Sequence, residues 1–129
     1  MIVVGLIFAG IAALVHLYIF YLESLAWESP QARAVFGTGS VEEARATRFL
    51  AYNQGFYNLF LAILAALGII FVAVGHLGVG SALVFAGTGS MLAAALVLFV
   101  SSKPHRSAAV KQGLFPLLAV GALAIGLLV

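Results

Sequence analysis

Long stretches without charge constrain this chain more than any other feature of its sequence. Glu23 ends the first stretch, and the remaining charges cluster between residues 28 and 48 and between residues 103 and 111. Each stretch supplies about the 20 apolar residues that a membrane-spanning helix requires. We therefore predict one domain over residues 1–129, with four spans over residues 2–26, 49–74, 80–101 and 112–129.

The composition indicates the same fold class. The chain of 129 residues is 64% hydrophobic and 8% charged, whereas a soluble domain is about 45–50% apolar and about 25% charged. This composition excludes a soluble enzyme, a nucleic-acid-binding protein and a disordered chain, and a net charge of +2 is too small to indicate an anionic partner. We predict an all-α, polytopic membrane protein that forms a bundle of four transmembrane helices.

The linker between the first two spans has the signals of a short helix. Ser29 is a suitable N-cap, Pro30 suits the first helical position, and Gly37 is a typical C-terminal stop. Ser40 and Glu43 have the spacing of a capping box, so the second long helix should begin before it enters the bilayer. We predict a short helix over residues 30–36 in this first cytoplasmic loop.

The basic residues predict the orientation of the bundle. With four spans, the first and third loops lie on one side of the membrane, and together they contain all six Lys and Arg residues. The second loop contains none. Because basic loops stay in the cytoplasm, we expect both termini on the extracytoplasmic side of the cell (inner) membrane.

Small residues four positions apart predict the faces by which the helices pack, because membrane helices associate where their backbones approach closely. Packing within the bundle is favoured over the alternative, a homodimer seam, since four helices must first pack against each other. The stripes are Gly5, Ala9 and Ala13 in the first span, Ala82, Ala86, Ser90 and Ala94 in the third, and Ala122 and Gly126 in the fourth.

Polar residues within the spans are the candidate functional residues. On the first helix, His16, Glu23 and Trp27 follow spacings of seven and four, which place them on one face. The second span has several hydrogen-bonding side chains within six residues, and the fourth begins with a glutamine within reach of Glu23. The candidate ligand-binding residues are His16, Glu23, Trp27, Asn53, Gln54, Tyr57, Asn58 and Gln112.

The helical rise of about 1.5 Å per residue predicts the depth of these groups in the membrane. Glu23 and Asn53 should lie about 4 and 7 Å from the cytoplasmic ends of their spans, and His16 and Asn58 about 15 Å. A carboxylate buried alone costs several kcal/mol. We therefore expect an amide of the second span, Asn53 or Gln54, to hold Glu23.

The order of these residues resembles a known family. The motifs are His16-x-Tyr18, Leu22-Glu23, Ala26-Trp27, Asn53-Gln54-Gly55-x-Tyr57-Asn58 and Gln112-Gly113-x-x-Pro116. In combination they are similar, over almost the whole chain, to the family called Domain of Unknown Function 1304, whose members are small four-helix integral membrane proteins, mostly bacterial. The resemblance implies this architecture and a polar cluster between spans one, two and four, and it implies no activity.

Three functions fit these features. The favoured one is a protein that binds or transports a small apolar or amphipathic solute, in which a buried acid exchanges a proton for the solute. The second is a membrane-embedded enzyme, of isomerase or hydratase type, that uses His16 and Glu23 on a lipid-soluble substrate. The third is a non-catalytic accessory subunit, in which the polar residues only fix the register of the helices.

The partners that the sequence indicates are the lipid bilayer, a small ligand and, for a transport pathway in so short a chain, a second copy in a homodimer. Nucleic acid is not among them. The polar residues lack the spacings of metal-binding motifs, and one intramembrane histidine is weak support for haem. The sequence therefore predicts no metal site and leaves the cofactor unassigned.

Overall fold

The structure, a computed structural model, describes every residue from Met1 to Val129 and contains only helices and turns. This confirms the predicted all-α class. The elements are α1 (Ile2–Phe20), which continues as a π-helical turn (Tyr21–Leu25), α2 (Pro30–Phe36), α3 (Val41–Ala73), α4 (Leu77–Ser101), a 3₁₀ turn (Lys103–His105) and α5 (Arg106–Leu128).

Four of these helices, α1, α3, α4 and α5, are long and apolar enough to cross a membrane. They correspond to the four predicted spans, and the chain is a multi-pass membrane protein. α4 begins at Leu77 and α5 at Arg106, before the predicted starts at residues 80 and 112. α5 begins early because charged residues such as Arg106 and Lys111 end an apolar stretch without ending a helix. α4 begins early because the apolar residues 77–79, which we expected to form part of a turn, are helical.

The four long helices form an antiparallel bundle of square cross-section. α1 packs against α3 and α5, and α4 packs against the same two helices, so α1 and α4 face each other across a diagonal. One end of the bundle contains α2 and the α4–α5 turn, and we call it the basic end because all Lys and Arg residues lie near it. The opposite end contains the α3–α4 turn and both termini, where Gly126 packs against Ile2.

Side-chain caps begin α2 and α3, as the sequence predicts. Ser29 Oγ accepts a hydrogen bond from the backbone N–H of Ala32 (3.1 Å), and Gly37 ends α2 with a φ of 65°. Ser40 Oγ accepts from the N–H of Glu43 (3.2 Å), while the Glu43 carboxylate accepts from the N–H of Ser40 (2.7 Å). The predicted short helix and the capping box are therefore confirmed.

Small residues bring α1 close to α5. Gly5, Ala9 and Ala13 are buried, and a Cβ atom at Gly5 would lie 2.7 Å from the backbone nitrogen of Leu123. Ala122 of α5 is buried as well. The packing faces predicted for the first and fourth spans are therefore confirmed.

The residues of α4 that pack against α3 are not the predicted ones. A Cβ atom at Gly87 would lie 2.9 Å from the backbone nitrogen of Ala65, and one at Gly80 would lie 2.6 Å from that of Val72. The predicted stripe lies one position away from the buried residues of α4 and is exposed, so its assignment to the packed interior is wrong, although Ala94 at its end borders a cavity. The residues of the stripe are Ala82, Ala86, Ser90 and Ala94.

Candidate functional site

A π-helical turn at the end of the first span positions Glu23. The N–H of Ala26 bonds to the carbonyl oxygen of Tyr21 (3.0 Å), five residues back, which widens the turn over Tyr21–Leu25. Such widened turns are frequent at functional sites. Leu22 and Glu23 of this turn are both buried, and Glu23, 8% exposed, is the only acidic residue buried in the bundle.

Glu23 is held by an amide of α3. Asn58 Nδ2 donates a hydrogen bond to Glu23 Oε2 (2.8 Å). The two helices approach closely beside this bond, where a Cβ atom at Gly55 would lie 3.1 Å from the backbone nitrogen of Ser24. Ser24 Oγ also donates to the carbonyl oxygen of Tyr52 (2.8 Å). The close approach at Gly55 thus places the amide and the carboxyl group in contact.

His16 lies deeper in the bundle, on the same side of the first span. It is 2% exposed, and its Nδ1 donates to the carbonyl oxygen of Ala12 (2.9 Å). The second ring nitrogen, Nε2, has no hydrogen-bond partner within the chain. Seven residues separate His16 from Glu23, which corresponds to about 10 Å along the helix. The two side chains can therefore contact one ligand without contacting each other.

The half of the bundle near the basic end encloses a cavity of about 380 Å³, which we call the chamber. It lies between α1 and α4, and residues of all five helices line it. Its polar wall consists of His16, Glu23, Trp27, Gln54, Asn58, His105 and Gln112. Its apolar wall consists of Ile19, Val35, Phe36, Leu61, Met91, Ala94, Leu98 and Ala108.

α2 closes the chamber at the basic end. The indole N–H of Trp27 donates to the carbonyl oxygen of Ala44 (2.9 Å) and to Thr47 Oγ1 (3.2 Å), and the indole ring packs against Phe36 with centroids 5.1 Å apart. His105 Nε2 donates to the carbonyl oxygen of Phe36 (3.3 Å). These contacts tie α2 to α3 and to the α4–α5 turn.

Glu23 also borders a second, smaller cavity of about 270 Å³ between the end of the first span and the first half of α3. Trp27 and Gln54 border both cavities, and Thr47 and Ala51 line the smaller one. Glu23 therefore lines both the chamber and a shallow pocket, open to the surface, that lies nearer the basic end.

Six of the eight predicted site residues line the chamber, and two lie outside it. Asn53 and Tyr57 are exposed on the outer surface of α3. Each is two residues from Gly55, which corresponds to about 200° around the helix from the face that contacts α1. The structure therefore brings together His16, Glu23, Trp27, Gln54, Asn58 and Gln112.

The hydrogen bond to Glu23 corrects one expectation from the sequence. We expected Asn53 or Gln54 to hold this carboxyl group, because they lie nearest to the predicted cytoplasmic end of the second span. The amide that bonds to it is Asn58. Gln54 lines the chamber, and its backbone carbonyl oxygen accepts a second, longer bond from Asn58 Nδ2 (3.3 Å).

His105 and Phe36 line the chamber and were not identified from the sequence. His105 follows Lys103 and Pro104, so its sequence context is that of another cation in a basic surface loop. One local signal exists, because Ser102 Oγ, three residues earlier, donates to His105 Nδ1 (2.6 Å) and orients the ring. Phe36 has no such signal, since nothing local indicates how α2 folds back onto the bundle.

The chamber contains one carboxyl group and no Lys or Arg side chain. The ion pairs of the chain both involve Glu28 outside the chamber, with Arg45 at 3.0 Å and Arg48 at 3.4 Å. No group of three His, Cys, Asp or Glu side chains is placed to hold a metal ion. The arrangement is thus suited to bind a cationic or hydrogen-bond-donating group at Glu23, between apolar walls.

These features define a class: small multi-pass membrane proteins whose helical bundle encloses a polar chamber. Residues 10–124 match the sequence model of a family described as "Protein of unknown function (DUF1304)". The chain belongs to this family, which confirms the resemblance of its motifs. Comparisons with curated proteins and with solved structures gave no match.

Proposed function

We propose that the protein binds a small amphipathic solute in the chamber and transports it across the membrane. The solute has an apolar body and a cationic or hydrogen-bond-donating head group. The observation that carries this proposal is the carboxyl group of Glu23, which is buried without a basic partner in a cavity of about 380 Å³. Small-molecule sites have volumes of about 300–1,000 Å³ and combine apolar walls with a few polar groups.

Glu23 supplies the acceptor for the head group. Asn58 bonds to Oε2, which leaves Oε1 without a hydrogen-bond partner within the chain. Because a hydrogen bond to a carboxylate is charge-assisted, a donor from a solute at Oε1 stabilises the complex. Gln112 and the free Nε2 of His16 line the same chamber and can contact other polar atoms of the solute.

The two spaces that Glu23 lines, the chamber and the shallow pocket, support transport rather than binding alone. A group that borders both the chamber and the space beside Thr47 can exchange its partner with either side. Intramembrane carboxyl groups of pumps and carriers work in this way, by releasing a proton when the solute binds. In the proposed step, the protonated carboxyl group loses its proton to water and the cationic head group takes its place.

The single tryptophan of the chain provides a direct test. Because Trp27 lines the chamber, its fluorescence should change when the chamber is occupied. Purified protein is titrated with phenethylamine and with 2-phenylethanol, which has the same ring and chain but no charge. We expect saturable binding of the amine, and Glu23→Gln should weaken it about tenfold or more because the charge-assisted bond is lost.

Glu42→Gln is the matched control, because Glu42 is an exposed acidic residue in the first turn of α3. It should bind the amine as the wild type does. Equal binding of the amine by Glu23→Gln and wild type, or no saturable change with either probe, would overturn the proposal. In proteoliposomes the amine should cross the membrane unchanged and faster than in liposomes without protein, whereas a chemically altered probe would favour the membrane-embedded enzyme.

A further inference from the structure

A second large cavity lies outside the chamber, as a groove of about 570 Å³ between α1, α2 and α5. Six residues line both spaces and form the wall between the groove and the chamber, namely Ile19, Val35, Phe36, His105, Ala108 and Gln112. Glu23 does not line the groove, and no other acidic residue does. The groove therefore adjoins the chamber but differs from it in charge, because Lys111 lines it and no carboxyl group does.

The groove is apolar in its deep part and polar near the basic end. Val15 of α1 and Leu22 of the π-helical turn line it, and their spacing of seven positions corresponds to about 10 Å along the helix. Half of the hydrocarbon core is about 15 Å thick, so this part is long enough for much of one acyl chain. At the basic end, Ser107 and Lys111 of α5 line the groove.

Lys111 is placed to bind an anion at this end of the groove. It lies one turn after Ser107 on the same face of α5, and helical side chains lean towards the N-terminus of their helix, which for α5 is the basic end. Lys111 forms no ion pair or hydrogen bond within the chain, in contrast to Arg45 and Arg48, which pair with Glu28. Its ammonium group is therefore available to a ligand.

We propose that this groove binds one anionic phospholipid, with the phosphate at Ser107 and Lys111 and an acyl chain along α1. Basic pockets between membrane helices recognise anionic head groups in this way. A lipid is the occupant that the observations favour, because the groove combines an apolar channel of membrane depth with a free cation and no acidic residue.

The α4–α5 groove provides a comparison within the same molecule. It has a volume of about 260 Å³ and, apart from Gly113, only hydrophobic residues line it, among them Leu96 and Leu117. Without a charged or hydroxyl side chain, this groove can accept acyl chains but cannot distinguish one head group from another. Preference for an anionic lipid should therefore depend on the groove between α1, α2 and α5.

The test uses the purified full-length chain in detergent and native mass spectrometry. The probes are dioleoyl-phosphatidylglycerol and dioleoyl-phosphatidylcholine, which differ only in the head group. We expect one phosphatidylglycerol to bind more tightly than phosphatidylcholine, and Lys111→Gln to weaken phosphatidylglycerol about fivefold, the effect of one basic group near anionic lipid. Lys103→Gln is the matched control, because Lys103 lies at the same end of the bundle but does not line the groove.

A third variant tests the location. Ala34→Phe places a large side chain in the groove from α2 and should reduce the binding of phosphatidylglycerol. The proposal is overturned if Lys111→Gln binds phosphatidylglycerol as the wild type does, if Lys103→Gln loses as much affinity, or if Ala34→Phe has no effect. A dimer that buries the groove would also overturn it, since the occupant would then be a second copy of the chain.

Discussion

Asn58 and Glu23 form a hydrogen bond of 2.8 Å between antiparallel helices, although Asn58 lies three residues further along α3 than Gly55, the point of closest approach. The lean of helical side chains towards the N-terminus explains this geometry. Glu23 leans towards the membrane interior, and Asn58 leans back towards the basic end. Their polar atoms meet between the two backbones.

Asn58→Ala should destabilise the protein by about 1–2 kcal/mol, the upper part of the range for hydrogen bonds between membrane helices. The physical reason is that Glu23 would keep its burial and lose its donor. The measurement is the thermal unfolding of the purified protein in detergent, compared with the wild type.

Asn53→Ala is the control for this variant, because it removes the same side chain from an exposed position of the same helix. Its melting temperature should equal that of the wild type. If both variants lost the same stability, the hydrogen bond to Glu23 would contribute nothing specific. The loss would then follow from removing any asparagine side chain from α3.

The partner of Glu23 could not be predicted by counting residues from the ends of the spans. That count assumes that the first and second spans enter the bilayer at matching residues. The register of the two helices is set instead where their backbones meet, as at the close contact of Gly55 with Ser24. This contact depends on two backbones that are distant in sequence, and nothing in either local segment encodes it.

Gly55→Ala should destabilise the protein by about 1–3 kcal/mol, as overpacking of a tight interface does. The added Cβ atom would meet Ser24 Oγ and would lie 3.1 Å from the Cβ atom of Glu23. Since α1 and α3 would separate, the same variant should also weaken the binding of phenethylamine measured by Trp27 fluorescence.

Gly89→Ala provides the matched control, because Gly89 lies within a spanning helix and no atom lies within 4 Å of its added Cβ. This variant should be as stable as the wild type or slightly more so, since alanine favours a helix over glycine. Equal destabilisation by both variants would show that glycine flexibility, rather than close packing, is what the bundle requires.

The sequence predicts the number of spans, the short helix α2, and the N-caps of α2 and α3, because each of these features depends on local chemistry. Ser29 and Ser40 bond to backbone groups three residues away, whatever the rest of the chain does. The inner face of α4 is different. Small residues occur nearly all round this helix, and lipid is as apolar as the protein interior, so hydropathy does not distinguish Ala86 from Gly87.

Ala86 and Gly87 are adjacent in sequence, and we predict opposite effects on stability when each is replaced by leucine. Gly87→Leu should destabilise the bundle strongly, because its side chain would enter the backbone of α3, where Leu61 and Ala65 already lie within 3.0 Å of an added Cβ atom. Ala86→Leu should leave the melting temperature unchanged, because Ala86 is exposed. Thermal unfolding and size-exclusion chromatography of both variants are the measurements.

The oligomeric state, measured by size-exclusion chromatography of these variants, tests whether the exposed stripe forms a homodimer seam. A homodimer seam along Ala82 and Ala86 would make Ala86→Leu convert a dimer of wild-type size into a monomer, without unfolding it. A monomeric wild type with an unchanged Ala86→Leu variant would instead mean that the stripe faces lipid. A strongly destabilised Ala86→Leu variant would contradict the packing of α4 against α3.

The orientation of the bundle is the last prediction, and the absence of cysteine makes it simple to test. Since all basic residues lie at one end, that end should face the cytoplasm and both termini should lie outside. Lys103→Cys and Gly78→Cys introduce exposed thiols at the basic end and at the opposite end, respectively. In intact cells, a membrane-impermeant maleimide should label the cysteine at position 78 and not the one at position 103, and permeabilisation should expose both. The reverse pattern would show that the basic end faces outward, and the solute would then enter the space beside Glu23 from outside the cell.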